Sequence, residues 1–123
     1  MTERRQLRWG GAFMADAADA APGAGAALVI CNGGFEGMRY GLQSEETIIG
    51  RNPTTDITLL DESISREHAI VSYDEATETH TIEDLQSTNS TKVNGKRIRS
   101  VELNHGDEIQ IGHTRFLFQT HDE

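Results

Sequence analysis

Short runs of apolar and β-branched residues, separated by turn signals about every 8–12 residues, dominate the sequence from residue 28 to residue 120. No sustained helical period accompanies them, and we find no internal repeat. This pattern is typical of an all-β sandwich or barrel. The residues alone predict about ten short strands. The runs cover residues 28–31, 35–42, 47–49, 57–60, 69–73, 79–82, 92–93, 98–103, 107–111 and 114–119.

These runs make two local predictions. The turn signal Asn32-Gly33-Gly34 joins run 28–31 to run 35–42, which indicates a β-hairpin. Residues 98–103 contain no breaker and predict one continuous strand.

Residues 1–27 have a different composition, rich in Ala, Gly and Asp and without an apolar stripe to bury. We expect a flexible N-terminal tail at 1–27 and one folded domain at 28–120. No apolar run approaches the ~18 residues of a membrane-spanning helix. The N-terminal arginines are not followed by the apolar region of a secretory signal, and the chain has a single cysteine. These features favour a cytoplasmic (intracellular) location.

The net charge of −9 argues against a nucleic-acid binder, because affinity for phosphate backbones depends on clustered Lys and Arg. Residues 1–26 are neutral, so the excess acid lies in the predicted domain. Arginines at loop positions of such a domain are expected to act locally rather than as a broad basic face.

Three polar clusters lie at breaks between the predicted strands: Gly50-Arg51, Ser65-Arg66 and Thr88-Asn89. A phosphorylated side chain carries about −1.5 to −2 charge and three acceptor oxygens. Arginine is its best partner because the planar guanidinium can engage two oxygens at once. An Asn amide can grip a peptide main chain through both a C=O and an N–H. The clusters therefore predict a site for a phosphorylated peptide.

The order of these motifs resembles the forkhead-associated (FHA) family, in which Arg clusters read phosphorylated motifs. The resemblance extends over about residues 28–119. It is carried by Gly50-Arg51, Ser65-x-x-His68, Asp84-Leu85-x-Ser87-Thr88-Asn89-x-Thr91-x-Val93-Asn94-Gly95 and Gly106-Asp107-x-Ile109-x-Ile111-Gly112.

The resemblance implies a sandwich of about eleven strands that binds phosphothreonine peptides through loops at one end. It also implies that Arg51 and Ser65 hold the phosphate, and that Arg66 reaches the phosphate or the adjacent peptide backbone. Thr88 and Asn89 would hold the peptide main chain.

Gly50, His68 and Asn94 would support the site structurally. Two positions depart from the family pattern, in which glycine is usual: they are Gln86 and Ser90 in this chain. A non-glycine residue where φ is positive costs about 1 kcal/mol or shifts the loop.

Other interpretations of the same residues are open. Arg51 could instead pair with Asp56 or Asp61 at the surface. Ser65 and His68 could form a hydrolase site with an acidic partner, although no nucleophile-elbow signature is present.

Lys92, Lys96 and Arg97 either extend a positive face towards the peptide or form a solvated hairpin. Ser63 and Ile64, in the loop ahead of Ser65, carry no charge, so this loop does not suggest a demand for an acidic peptide residue. The histidines lack metal-ligand spacing, and we predict no metal and no cofactor.

The leading hypothesis is a non-catalytic phosphothreonine-peptide-binding adaptor in Ser/Thr kinase signalling. Its partner would be a Ser/Thr kinase or a kinase substrate, with no nucleic acid and no membrane. A further candidate ligand is its own N-terminal tail, phosphorylated at Thr2. The alternative is a phospho-independent scaffold domain with an FHA-like fold, which the departures at Gln86 and Ser90 suggest.

Overall fold

A computed structural model describes residues 25–120, which form eleven β-strands in two sheets. The strands are β1 (Ala27–Ile30), β2 (Arg39–Gly41), β3 (Glu46–Gly50), β4 (Ile57–Thr58), β5 (Ala69–Asp74), β6 (Thr79–Asp84), β7 (Thr91–Val93), β8 (Lys96–Ile98), β9 (Ser100–Leu103), β10 (Glu108–Ile111) and β11 (Thr114–Gln119). One short 3₁₀ turn, Gly33–Phe35, lies between β1 and β2.

The first sheet has six strands in the order β2-β1-β11-β10-β7-β8, and the second has five in the order β4-β3-β5-β6-β9. Neighbouring strands are antiparallel except for β3 and β4, which run parallel. The predicted all-β class and the eleven-strand sandwich are confirmed. No helix among residues 25–120 is long and apolar enough to cross a membrane.

The core lies between the two sheets and follows from the period-2 alternation of the strands. In β10, for example, Ile109 and Ile111 are fully buried and alternate with Glu108 and Gln110, which face outwards. Each buried Leu, Ile or Phe stabilises the fold by about 1.5–3 kcal/mol. The fully buried large apolar side chains are Leu28, Leu42, Ile49, Ile64, Val71, Ile82, Ile109, Ile111, Phe116 and Phe118.

The folded part begins slightly earlier than residue 28. Ala26 and Ala27 are both buried, and the carbonyl of Ala26 accepts a hydrogen bond from the N–H of Leu42 at 2.9 Å. The predicted tail, including Thr2, falls almost entirely on residues 1–24, which lie outside the described part of the chain.

The predicted hairpin of β1 and β2 is confirmed, since the two strands pair antiparallel. The single strand predicted at 98–103 is wrong. Ile98 ends β8 in the first sheet, while β9 begins at Ser100 in the second sheet. The chain crosses the edge of the sandwich at Arg99, whose carbonyl accepts the N–H of Asp84 at 2.8 Å. Ile98 and Leu103 both pack into the core, but from opposite sheets.

Candidate functional site

Several connections meet at one end of the sandwich: residues 51–56, 59–68, 85–90 and 112–113. The first three contain the predicted Arg51, the Ser65-Arg66 pair and the Thr88-Asn89 pair, and Gly50 ends the strand that leads into them. The fold thus brings three separate sequence clusters to one surface.

Gly50 occupies a point where two backbones almost touch. A Cβ built on Gly50 would lie against the carbonyl oxygen of Arg66 and 2.7 Å from its carbonyl carbon. The close approach continues as the N–H of Arg51 donates to the carbonyl of Ser65 at 3.0 Å, and that of Asn52 to Arg66 at 3.2 Å. We call residues 50–52 and 65–66 the paired loops. Only glycine fits at position 50 without moving them.

The side chain of Arg51 is held at its base. Its Nε–H donates to the carbonyl of Ile64 at 3.0 Å, and Ile64 itself is only 1% exposed. Within residues 25–120 the Nη groups of Arg51 make no hydrogen bond or ion pair. Arg51 and Arg66 line one shallow cavity of about 270 Å³, together with Asn52 and Pro53.

The alternative pairing of Arg51 with a nearby aspartate is absent from this part of the chain. Asp56 instead accepts the N–H of Ile48 at 2.8 Å. Asp61 caps its own loop by accepting the N–H of Ser63 at 2.9 Å and also contacts the ring of His113 at 3.1 Å. The hydrogen bond from the Ser63 N–H, despite some opposing desolvation, lowers the pKa of Asp61 to about 2. Asp61 is therefore charged at neutral pH, and its carboxylate interacts with Ser63 and His113.

Ser65 connects the paired loops to the loop that carries Asn89. Its Oγ accepts the backbone N–H of Thr88 at 3.0 Å. A hydroxyl that accepts in this way keeps its own O–H for donation to another group. Ser65 is half-buried and Thr88 is exposed, so this O–H lies at the surface.

His68 is fully buried and ties the same loops together from below. Its Nδ1 accepts the backbone N–H of Ser65 at 3.1 Å, which assigns the ring proton to Nε2. The Nε2–H then donates to the carbonyl of Ser90 at 2.8 Å. Both ring nitrogens are therefore occupied by backbone groups, and neither is available as a base for the Ser65 hydroxyl.

The loop at residues 85–90, which we call the Asn89 loop, is anchored by Asp84. The Asp84 carboxylate accepts the Ser87 N–H at 3.1 Å, the Ser87 Oγ–H at 2.5 Å and the Thr91 Oγ–H at 2.8 Å. Burial raises the pKa of Asp84, but these hydrogen bonds to the charged form outweigh it, and the net shift is downward.

Gln86 and Ser90 both have left-handed backbones, with φ of 56° and 63°. These are the two positions at which glycine is usual in the family. The loop thus adopts left-handed backbone at both positions with residues larger than glycine, and several hydrogen bonds hold it there. The Oγ–H of Ser90 donates to the carbonyl of Asn89 at 2.5 Å, next to the bond from His68.

The Asn89 side chain is oriented by one hydrogen bond, from its Nδ2 to the carbonyl of Ser63 at 2.8 Å. Its Oδ1 has no partner among residues 25–120. The amide thus presents an acceptor and a second N–H at the surface. A second cavity of about 310 Å³ lies alongside, lined by Ser63, Asn89, Ser90, Lys92, Gln110, Gly112 and His113.

Asn94 was predicted to support the site, but the structure places it at the opposite end of the sandwich. It follows β7, has a φ of 53°, and forms an Asn-Gly turn with Gly95. Its amide donates to Asp107 at 3.0 Å and accepts the N–H of Glu108 at 2.9 Å. Asn94 therefore braces the turns at the far end, and its hydrogen bonds go to Asp107 and Glu108 rather than to a site residue.

The sequence interpretation missed two features of the site. Ser63 contributes a backbone carbonyl, which carries no side-chain signal, although the Asp61-x-Ser63 spacing is a turn signature. Gln110 and Gly112 reach the second cavity from a distant part of the chain. Among the described residues, no group of three or more His, Cys, Asp or Glu side chains could hold a metal ion.

The FHA-domain family model matches residues 47–112, which is more than half of the chain and includes every cluster of the site. The chain belongs to the FHA-domain family. It is similar to an oxoglutarate dehydrogenase inhibitor of Corynebacterium efficiens, with 39% identity over 109 residues that cover 89% of this chain and 75% of the relative.

Two solved structures resemble this FHA domain closely. One comes from a structural and functional analysis of phosphothreonine-dependent FHA domain interactions, with a TM-score of 0.72, 31% identity and coverage of 80% of this chain and 98% of that one. The other is Mycobacterium tuberculosis EmbR in complex with a low affinity phosphopeptide, with a TM-score of 0.70 and 36% identity over 77% of this chain and 24% of that one.

Proposed function

We propose that this FHA domain is a non-catalytic module that binds phosphothreonine peptides and acts as an adaptor in Ser/Thr kinase signalling. The observation that carries the proposal is the hydrogen bonding of the Arg51 and Ser65 side chains. Each is fixed by a backbone contact, and each keeps its strongest donors unused within residues 25–120. Donors that are already fixed bind an anion without paying for their own ordering.

A phosphate placed at the paired loops takes charge-assisted hydrogen bonds from the Nη groups of Arg51 and a hydroxyl bond from Ser65. Arg66 lines the same cavity as Arg51 and supplies the second positive charge. Two guanidinium groups match a group that carries about −1.5 to −2 charge.

The peptide main chain then passes over the Asn89 loop. The Oδ1 and second N–H of Asn89 can accept from a peptide N–H and donate to a peptide C=O. Thr88 lies beside Ser65 and adjoins the phosphorylated residue. Because hydrogen bonds preserve the loop despite Gln86 and Ser90, nothing in its geometry favours the phospho-independent scaffold.

Catalysis by Ser65 and His68 is inconsistent with the hydrogen bonds of His68. A general base must reach the proton of its nucleophile, and both nitrogens of this ring bond backbone groups instead. The partners that fit are a Ser/Thr kinase or a substrate phosphorylated by one, and with such partners we propose an intracellular location. The similarity to a protein named as an enzyme inhibitor supports a regulatory adaptor.

The test is calorimetric titration of the wild-type domain and Arg51→Ala with a phosphothreonine peptide pool. The variant should lose at least tenfold in affinity, since hydrogen bonds to charged groups contribute about 1.5–3 kcal/mol. Its free energy of unfolding should fall by only about 1 kcal/mol, because Arg51 is exposed and the variant loses one hydrogen bond, from Nε to the Ile64 carbonyl. Arg39→Ala, which removes an exposed arginine on β2, is the matched control and should bind normally. Undiminished binding by Arg51→Ala would overturn the assignment.

A further inference from the structure

A row of basic side chains crosses the outer face of the six-stranded sheet. It lies one residue in from the end of the sheet that carries the site. Lys92 on β7 is the cross-strand partner of Arg97 on β8 and of Gln110 on β10. Gln110 is in turn the partner of Arg115 on β11. Residues directly opposite on neighbouring antiparallel strands share one face of the sheet. Three cations therefore stand in line with a single amide among them, and we call these four residues the basic row.

The basic row is unusual in a chain of net charge −9. Within residues 25–120, Lys92 and Arg97 form no ion pair or hydrogen bond through their side chains. Arg115 has only a long contact from its Nε to Glu108 at 3.8 Å, with about half of each side chain exposed, which is worth little. The positive charge of Lys92 and Arg97 is thus not neutralised by the sheet on which they lie.

The second cavity connects this row to the proposed peptide path. Asn89 lines it on the side of the phosphate site, and Lys92 and Gln110 line it on the side of the sheet. Lys92 is half-buried and lines this cavity, and a lysine in such a position packs its apolar stem on the surface and keeps its ammonium group in water. A peptide residue that leaves Asn89 in this direction meets Lys92 first.

We infer that the second cavity receives an acidic residue of the peptide segment that flanks the phosphothreonine, with Lys92 as its principal partner. The inference rests on the proposed function and adds a specificity determinant to it. Arg97 and Arg115 act at longer range, by raising the local positive potential. The loop ahead of Ser65 does not set this preference, because Ile64 is buried in the core and only Ser63 reaches the cavity.

The experiment compares three phosphothreonine peptides that differ only in their flanks: neutral on both sides, acidic on the N-terminal side, or acidic on the C-terminal side. Each is titrated calorimetrically into the wild-type domain, Lys92→Gln and Lys96→Gln. Lys96 is the matched control because it is an exposed lysine on the same hairpin but lies at the Asn94 turn, away from the cavity. Both variants remove one positive charge.

We expect one acidic flank to tighten wild-type binding about threefold at low salt, the range of an exposed ion pair, and this gain to shrink as salt rises. Lys92→Gln should lose most of the gain while binding the neutral peptide as the wild type does. Lys96→Gln should keep the gain. An equal response to all three flanks, or a gain that survives in Lys92→Gln, would overturn the inference and leave the proposed function standing. Failure of the neutral phosphothreonine peptide to bind would overturn both.

Discussion

The paired loops and the Asn89 loop both contain positions whose geometry favours glycine, but for different reasons. At Gly50 the constraint is space, because a Cβ would collide with the Arg66 carbonyl. At Gln86 and Ser90 the constraint is the backbone angle alone, with φ of 56° and 63°. The chain retains glycine at the first position and has replaced it at the other two.

This difference shows which family glycines this site needs. A backbone collision cannot be relieved without moving a neighbouring strand or loop, whereas a left-handed φ costs only about 1 kcal/mol for a residue with a side chain. The Asn89 loop compensates through the Asp84 and His68 hydrogen bonds. Sequence departures in the two regions therefore carry different weight for function.

The largest effect is expected from Gly50→Ala. Its methyl group would push the Arg66 backbone away, and we expect a loss of about 3 kcal/mol in the free energy of unfolding together with loss of phosphopeptide binding. Urea denaturation followed by fluorescence measures the first quantity. Gly34→Ala is the matched control, since its Cβ would meet no atom within 4 Å. A Gly50→Ala domain as stable as Gly34→Ala would show that the close approach of the Arg66 backbone does not require glycine at position 50.

Asp84→Asn should have the next largest effect, because the amide cannot accept all three hydrogen bonds of the carboxylate. We expect about 2 kcal/mol of destabilisation, the cost of leaving partly buried donors unpaired. Exposed Glu83→Gln removes the same charge and should have little effect. If both variants were equally stable, Asp84 would not be the anchor of the Asn89 loop.

Acid should reproduce part of the Asp84 effect in the wild type. The pKa of Asp84 is lower in the folded chain than its ordinary value of 3.8, so the unfolded chain binds the proton first as pH falls. The stabilisation is complete above that ordinary value and is lost as pH falls through the folded pKa. Denaturation series between pH 7 and pH 2 should show a smaller loss for Asp84→Asn than for the wild type. Identical pH profiles would contradict this account.

The smallest effect is expected from Gln86→Gly, which relieves the left-handed strain and should stabilise the domain by about 0.5–1 kcal/mol. Gln86→Ala retains the strain and should give no gain, which separates the backbone term from the side chain. Phosphopeptide affinity should be unchanged in both. A loss of stability in Gln86→Gly would mean that the Gln86 side chain makes a contribution that outweighs its strain.

The sequence predicted the fold class and most strands because alternation and turn signals are local. It also indicated that Arg51, Ser65 and Asn89 belong to one site. The order of the motifs resembles that of the FHA family, and this resemblance implies that the three residues bind one peptide. The prediction of one strand at 98–103 overlooked a signal. Ile98 is out of phase with Val101 and Leu103, three and five residues further on, so one regular strand could not turn all three towards the core. The sequence could not place Asn94, which sits close to Asn89 in sequence but one strand length away in space.

The features that the sequence did not reveal depend on pairing between distant strands. The basic row becomes visible only through the register that sets Lys92 opposite Gln110, and Gln110 opposite Arg115. The requirement for glycine at position 50 likewise depends on the approach of the Arg66 backbone from another connection. Neither relationship has a local signature.

The most direct test of the central claim is calorimetric titration of the wild-type domain with three peptide pools of identical sequence, carrying phosphothreonine, phosphoserine or unmodified threonine. We expect measurable binding to the phosphothreonine pool and none to the unmodified pool. Weaker binding to phosphoserine would show that the threonine methyl group is also recognised. Equal binding to all three pools, or binding to none, would contradict the claim that Arg51 and Ser65 form a phosphate site.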